Sequence, residues 1–376
     1  MADSIPAESP NAVAGTPGLA IDVERLRRDR LARCFAAMEH YGLDALVLGR
    51  EANVRYVSDA RRLWLAGPRP FGPGCVVVQA SGAIHLLSTS SEGVPASIPV
   101  THLQALTWNP ENIVTWLASI PGLRDARCIG VDGWNAAAGR LLARAVPAAR
   151  IADGDAALRA ARSVKTVDEI ACIRAAADVA AAALDAVVAA LRPDVGEATL
   201  RAVFLAHIAA RGVTIPSFEL VAHPAVHAPL IALRCGVLRD GYEGVLIRTW
   251  PNATGATSPA IDAASRLCRA LRDALVAACR PGAGARALLD VYARLGVPLP
   301  AFPIAHGSGL GCEPPLIGAS HLCDSGWRAV AGTVLALHAF VPSSTGGGAL
   351  TQDLVHVTAN GPELLTPAPY GPLLSP

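Results

Sequence analysis

The chain reads as an α/β domain followed by an α+β domain. Three observations predict this. Its 376 residues exceed what one hydrophobic core ordinarily organises. Helical and strand-like patterns alternate up to about residue 155. Beyond that point the order changes to two helices, a group of strands, two more helices and a closing group of strands. We place the first domain at residues 21–157 and the second at 160–370. Ahead of them, residues 1–20 hold Pro, Gly, Ser and Ala without a period, which predicts a flexible tail.

From Ile21 a helical rhythm begins. Val23, Leu26, Leu31, Cys34, Phe35 and Met38 recur at helical spacing, and Tyr41-Gly42 ends the run. Residues 44–49 read as a short buried strand. Residues 74–78 and 83–87 read as two more, joined through the turn Gln79-Ala80-Ser81-Gly82. A helix over 112–120, a strand over 128–131 and a helix over 135–146 follow. The second half opens on a long Ala-rich helix that runs to about Leu191. Thr166 is its N-cap, and Glu169 three residues later completes a capping box. Arg192-Pro193-Asp194-Val195-Gly196 breaks that helix, and another spans about 198–211. Strand patterns cover 218–221, 230–234 and 244–250. A helix over 259–279 stops at Arg280-Pro281-Gly282, and a short one ends at Leu295. The closing strands are expected over 303–306, 334–340 and 350–357. The Pro-rich end after Thr366 reads as a surface strap or a loose end. No internal repeat is evident.

Composition narrows the function. The chain is 52% hydrophobic and 17% charged, which excludes disorder of the whole. A net charge of +1 gives no basic field for nucleic acid or an anionic membrane. No run of about 20 apolar residues exists to span a bilayer, and the N-terminus lacks a signal-peptide pattern. The nine cysteines lie scattered, without a CxxC pair or a zinc spacing. We expect reduced, mostly buried thiols in a cytoplasmic protein.

Several motifs occur in a fixed order. They are Arg162-x-x-Lys165-Thr166-x-x-Glu169-Ile170 before the long helix, Arg280-Pro281-Gly282 after a later one, Gly241-Tyr242-x-x-Val245-x-x-Arg248-Thr249, His306-Gly307-x-Gly309, and Gln352-Asp353-x-Val355-x-Val357-Thr358. Together they make the second half similar to the creatinase and methionine aminopeptidase family, whose fold is called pita-bread. The first half resembles the N-terminal domain of creatinases, prolidases and aminopeptidase P enzymes. The resemblance covers about residues 22–368. The expected architecture is thus an α/β N-terminal domain plus an α+β pita-bread C-terminal domain, creatinase/methionine aminopeptidase-like.

The resemblance also locates a site. Active metallopeptidases of this family hold two divalent ions with two aspartates, one histidine and two glutamates. Here the aspartate positions fall on Arg234 and Val245. The histidine is kept as His306. The glutamate positions fall on His338 and Gln352. No carboxylate survives among the five. Divalent ions need oxygen ligands and negative charge, and Arg234 adds a fixed positive charge. At about 4 Å and an effective dielectric near 20, two unit charges repel by about 4 kcal/mol, and a dication roughly twice as strongly. We therefore expect no dinuclear metal site and no cofactor. A lone zinc or iron on His306, His338 and one oxygen is the chemical alternative.

The remaining candidates carry acid, base or binding roles. Arg234 can fork onto a substrate carboxylate, or pair with Asp240, Glu243 or Glu313 and merely fill the hole. By the resemblance, His227 is the proton shuttle, with His223 as its competitor; the bland alternative is a solvent-facing loop histidine. His306 and His338 would orient water or the leaving group, against the alternatives of a loop-bonded and a core histidine. Glu313 would act as acid or base, or orient His306. Val245, Gln352 and Arg248 would line the substrate, although Arg248, with Asp353, also reads as part of the structural frame.

Three functions follow. The first is a metal-independent enzyme on a small polar, amino-acid-derived substrate that carries a carboxylate. By resemblance, creatinase and ectoine hydrolase cleave C–N bonds on this fold without ions. The reaction here would be hydrolysis, elimination or rearrangement in a specialised biosynthetic pathway. Creatinase keeps glutamates that this chain lacks, so creatine is not the expected substrate. The second is a silent pseudo-peptidase that binds a peptide or protein partner. The third is an Xaa-Pro peptidase with displaced ligands. The two-domain plan also implies a homodimer.

Overall fold

The computed structural model describes residues 21–61, 74–88, 90–133, 136–192, 195–213, 215–223, 230–251, 258–318, 326–344 and 348–366. The expected tail over 1–20 and the Pro-rich end beyond residue 366 lie outside the described residues.

The first domain contains α1 (Val23–His40), β1 (Ala45–Leu48), α2 (Glu51–Ser58), β2 (Cys75–Val78), β3 (Ile84–Leu87), β4 (Leu103–Gln104), α3 (Pro110–Ser119), β5 (Cys128–Val131), α4 (Ala136–Ala145), β6 (Arg150–Asp153) and α5 (Gly154–Ser163). Its sheet runs β4-β3-β2-β1-β5-β6. All four residues of β1 and of β2 are buried. That follows from helices covering both faces of the sheet. Leu46, Leu48, Cys75 and Val77 pack with Cys34 and Met38 of α1 and Leu158 of α5. Ala45, Val47, Val76 and Val78 pack with Ile113 of α3 and Leu142 of α4.

The second domain contains α6 (Val167–Ala189), α7 (Glu197–Ala209), β7 (Pro216–His223), β8 (Leu230–Arg239), β9 (Tyr242–Pro251), α8 (Pro259–Ala278), α9 (Ala285–Arg294), β10 (Ala305–Gly309), β11 (Gly311–Ile317), β12 (Val334–Pro342), β13 (Gly348–Thr358) and β14 (Gly361–Leu364). The capping box forms as the sequence predicts: the Glu169 amide donates to Thr166 Oγ1 at 3.2 Å, and the Thr166 amide to Glu169 Oε2 at 2.8 Å. The antiparallel sheet runs β11-β10-β12-β13-β9-β8-β7, with β14 paired to β13. Alternate residues of each strand face the helices. Leu233, Cys235 and Leu246 pack on α6 and α7. Leu335, Leu337 and Val355 pack on α8 and α9.

Several elements escaped the sequence reading: α2, β4, β6, α5, β11 and β14. Most are short. β11 reads Gly-Cys-Glu-Pro-Pro-Leu-Ile, and paired prolines argue against a strand. It is tolerated because β11 is a sheet edge, where absent N–H donors cost no ladder bond. The expected boundary between residues 157 and 160 falls inside α5, whose Ala157 and Leu158 belong to the first domain's core.

Charged contacts join the two domains. Arg25 of α1 grips Asp168 of α6 through Nε at 2.6 Å and Nη2 at 2.8 Å. Arg30 donates to Asp59 at 2.7 Å and to the Tyr242 hydroxyl at 3.3 Å, and that hydroxyl donates to Glu169 at 2.9 Å. Within the second sheet, Arg248 donates to Asp353 at 2.8 Å. Arg272 and Thr366 complete that carboxylate at 3.2 and 2.7 Å.

β9 meets α6 closely at Gly244. A Cβ there would collide with the backbone of Ala176 and Ala177. Gly244→Ala should therefore cost about 1–3 kcal/mol or more in urea unfolding. Gly139→Ala, in α4 with open space around it, should instead stabilise by roughly 0.5–1 kcal/mol.

Candidate functional site

Strand register assembles the site. Arg234 of β8 pairs with Ile247 of β9, Ile247 with Gln352 of β13, and Gln352 with His338 of β12. Directly paired residues share a face, so these four form one row across the sheet. It lies on the face opposite α6–α9, because the residues between them point to the helical cores. Val245 joins by alternation along β9. His306 joins because it pairs with Ala336, two residues from His338 on β12. The five positions inferred from the resemblance thus converge.

The backbone of His338 is pinned. Its amide donates to the Ile304 carbonyl at 2.8 Å, and the Tyr292 hydroxyl donates to its carbonyl at 2.9 Å. The His306 and His338 rings stand 5.7 Å apart, and Phe302 meets His338 edge-on at 5.9 Å. Burial, then His306 and Arg234, push the His338 pKa down to about 3. At neutral pH the ring is uncharged. The Gln352 carboxamide lies close enough to favour its protonated form, yet no pair of their atoms meets hydrogen-bond geometry. His338 Nδ1 and both polar atoms of Gln352 are buried without a partner, as is the Ser308 hydroxyl.

His306 has a fixed tautomer. Its Nδ1 lies 2.9 Å from the Gly307 carbonyl, which can only accept. The proton therefore sits on Nδ1, and Nε2 of the neutral ring carries the lone pair. Arg234 is half-buried. Burial lowers its pKa and the Glu243 charge opposes that, but a guanidinium stays charged.

Two expected site residues are corrected by geometry. Glu313 of β11 pairs in register with Gly307 of β10, and its carboxylate lies against Gly309, on the side away from His306. Its carboxylate accepts from Arg162 at 2.8 and 3.1 Å and from Lys165 at 2.8 Å. Burial alone would raise its pKa, but Lys165 and Arg162 outweigh burial and hold it below the usual range. It is a spent counterion, neither acid nor base, and does not orient His306. Arg248 points to the helical face and is consumed by Asp353, so it does not line the row. His223 ends β7, paired with Ala232. His227 lies outside the described residues. Sequence reasoning underrated Glu243, which it considered only as a partner for Arg234. Glu243 lies two residues before Val245, on the same face of β9, and is 5% exposed.

The donors do not fit a pair of divalent ions. The row offers two imidazoles, one carboxamide, two alkyl groups and a guanidinium. Among the described residues, no three His, Cys, Asp or Glu side chains cluster as a metal site.

A profile of the Creatinase/Prolidase N-terminal domain matches residues 30–164, and one of Metallopeptidase family M24 matches residues 171–359. Solved structures share the fold. The Xaa-Pro dipeptidase from Bacillus anthracis is 18% identical with a TM-score of 0.72, over 92% of this chain and 98% of that one. The prolidase from Pyrococcus horikoshii OT3 is 17% identical with a TM-score of 0.72, over 91% and 99%. The dipeptidase PepE from Mycobacterium ulcerans is 22% identical with a TM-score of 0.72, over 94% and 98%. At such identities the likeness is one of fold. A search of curated proteins finds no match. No helix among the described residues is long and apolar enough to cross a membrane.

The depressed His338 pKa sets a pH dependence. Below about pH 6.5 the unfolded chain protonates this histidine, whereas the folded chain resists until about 3. The stability linked to it is complete above about pH 6.5 and is lost as pH falls, by up to about 1.4 kcal/mol per pH unit. Melts at pH 7 and pH 5 should show the loss, and His338→Gln should reduce it.

Proposed function

Because the chain belongs to metallopeptidase family M24 yet carries no acid at the five positions that the motif resemblance assigns to that family's metal ligands, we propose that it is a metal-independent, creatinase-like enzyme. Its substrate is a small, polar, amino-acid-derived compound with a carboxylate, and the reaction breaks a C–N bond by hydrolysis or a related elimination or rearrangement. The observation that carries this reading is the set of buried, unpartnered atoms at Gln352 and His338. Such atoms cost about 1–3 kcal/mol each unless something pairs with them. A carboxamide with donor and acceptor both unspent suits a polar ligand.

The residues then divide the work. The Arg234 fork grips the carboxylate. His306 Nε2 takes a proton from water or from the substrate and can return it to the leaving nitrogen. Neutral His338 and Gln352 fix the reacting group by hydrogen bonds, while Val245 and Ile247 keep the floor apolar. His227, or His223 in its place, serves as a second proton carrier, a role that rests on sequence position. We also read the chain as a homodimer, checked by its elution volume in sizing chromatography.

The names of the similar solved structures favour a second reading, an Xaa-Pro peptidase with displaced ligands. Metal analysis separates the two. Protein prepared without chelator should hold less than one equivalent of Mn, Co or Zn, and adding these ions should not raise its melting temperature. Two tightly bound equivalents with dipeptidase activity would decide for the peptidase. Arg234→Ala should leave the melting temperature near that of the parent but weaken binding of carboxylate ligands by about 1.5–3 kcal/mol, read by calorimetry.

A further inference from the structure

Glu243 has no task in the fold described so far. It sits on β9 opposite Leu238, which offers no polar side chain. Its residue is 5% exposed, and it makes no hydrogen bond or ion pair with any described residue. Neither carboxylate oxygen is among the fully buried unpartnered atoms, so the side chain is largely covered while its charged end reaches solvent. Alternation along β9 turns it to the same face as Val245 and Ile247, the face of the Arg234 row.

Its charge marks where it lies. It acts on the Arg234 guanidinium, opposing the effect of burial there. It also acts on the Cys312 thiol, which burial first and Glu243 second push above the usual thiol range. The thiol is therefore neutral and does not compete for a cation. On this face, one pair lies between Arg234–Ile247 and Leu238–Glu243: Gly236–Val245, which has no polar side-chain atom. At about 3.3 Å per residue, Glu243 stands roughly 13 Å along the strand from the Arg234 row. The two long side chains approach across an apolar floor without closing an ion pair. A positive group and a negative group so spaced read a molecule with opposite charges at its ends.

We propose that Glu243 is a cation subsite, so that the substrate carries an ammonium or amidinium nitrogen several bonds from the carboxylate held by Arg234. This rests on the reading of Arg234 given above. The negative end of the substrate lies near the imidazoles, and its positive end lies toward Glu243 and Cys312.

Two probe series test this: 4-aminobutyrate, 5-aminopentanoate and 6-aminohexanoate against butyrate, pentanoate and hexanoate, with binding read by calorimetry and thermal shift on the full chain. At least one amino acid should bind tenfold or more tighter than the plain acid of its length. Glu243→Gln should erase that preference and leave the plain acids unchanged, whereas Arg234→Ala should weaken both series. Because the carboxylate makes no hydrogen bond or ion pair within the described residues, Glu243→Gln should leave the ligand-free melting temperature near that of the parent. If the plain acids bind and the amine adds nothing, the cation subsite is overturned and the Arg234 reading stands. If neither series binds the parent protein, both fall. A marked fall in the ligand-free melting temperature of Glu243→Gln would show the carboxylate to be spent on the fold, and would also overturn the subsite.

Discussion

Strand register across β8, β9, β13 and β12 is the constraint on which the site depends. Side chains alternate along a strand, so a slip of one residue in any pair would exchange the two faces of that strand. Arg234, Gln352 and His338 would then turn into the helical cores, and Arg248 and Asp353 would turn out. The structure opposes such a slip at several points. Arg248 and Asp353, each 1% exposed, are locked together on the helical face. The Thr249 hydroxyl donates to the Leu350 carbonyl at 2.8 Å and accepts from the Leu350 amide at 3.0 Å. Gly244 lets β9 lie against α6. The charged frame on one side of the sheet thus fixes the chemistry on the other.

Much of this was legible before the structure. Runs such as Val334-Leu335-Ala336-Leu337 announce buried strands, and Thr166 with Glu169 announces a helix start. The five convergent positions could be inferred because their flanking motifs keep order along the chain. What could not be read was which face a side chain takes once spacing breaks. Glu313 follows a glycine-rich strand and precedes two prolines, and β10 and β11 shift register there. That shift sends Glu313 to Arg162 and Lys165, residues about 150 positions away in sequence. Arg248 looked like a site residue because it lies near the others in sequence, but adjacency in a strand means the opposite face. Glu243 was visible as a letter, yet its lack of a partner is a fact of three dimensions.

The electrostatics of the row are internally consistent. Arg234 supplies a permanent positive charge, and burial with two basic neighbours keeps His338 uncharged. A second cation beside Arg234 would be penalised. The site therefore keeps one strong positive anchor, neutral hydrogen-bonding groups around it and one carboxylate set apart.

The ion cluster at Glu313 bears on how the chain could have been assembled or dismantled. The edge strand's only acid is neutralised by Arg162, which closes the leading domain's last helix, and by Lys165 in the connecting segment. Cutting between the halves would strip a buried anion of one of its two cations. The leading domain thus supplies both a counterion and part of the cover to the second domain's edge strand.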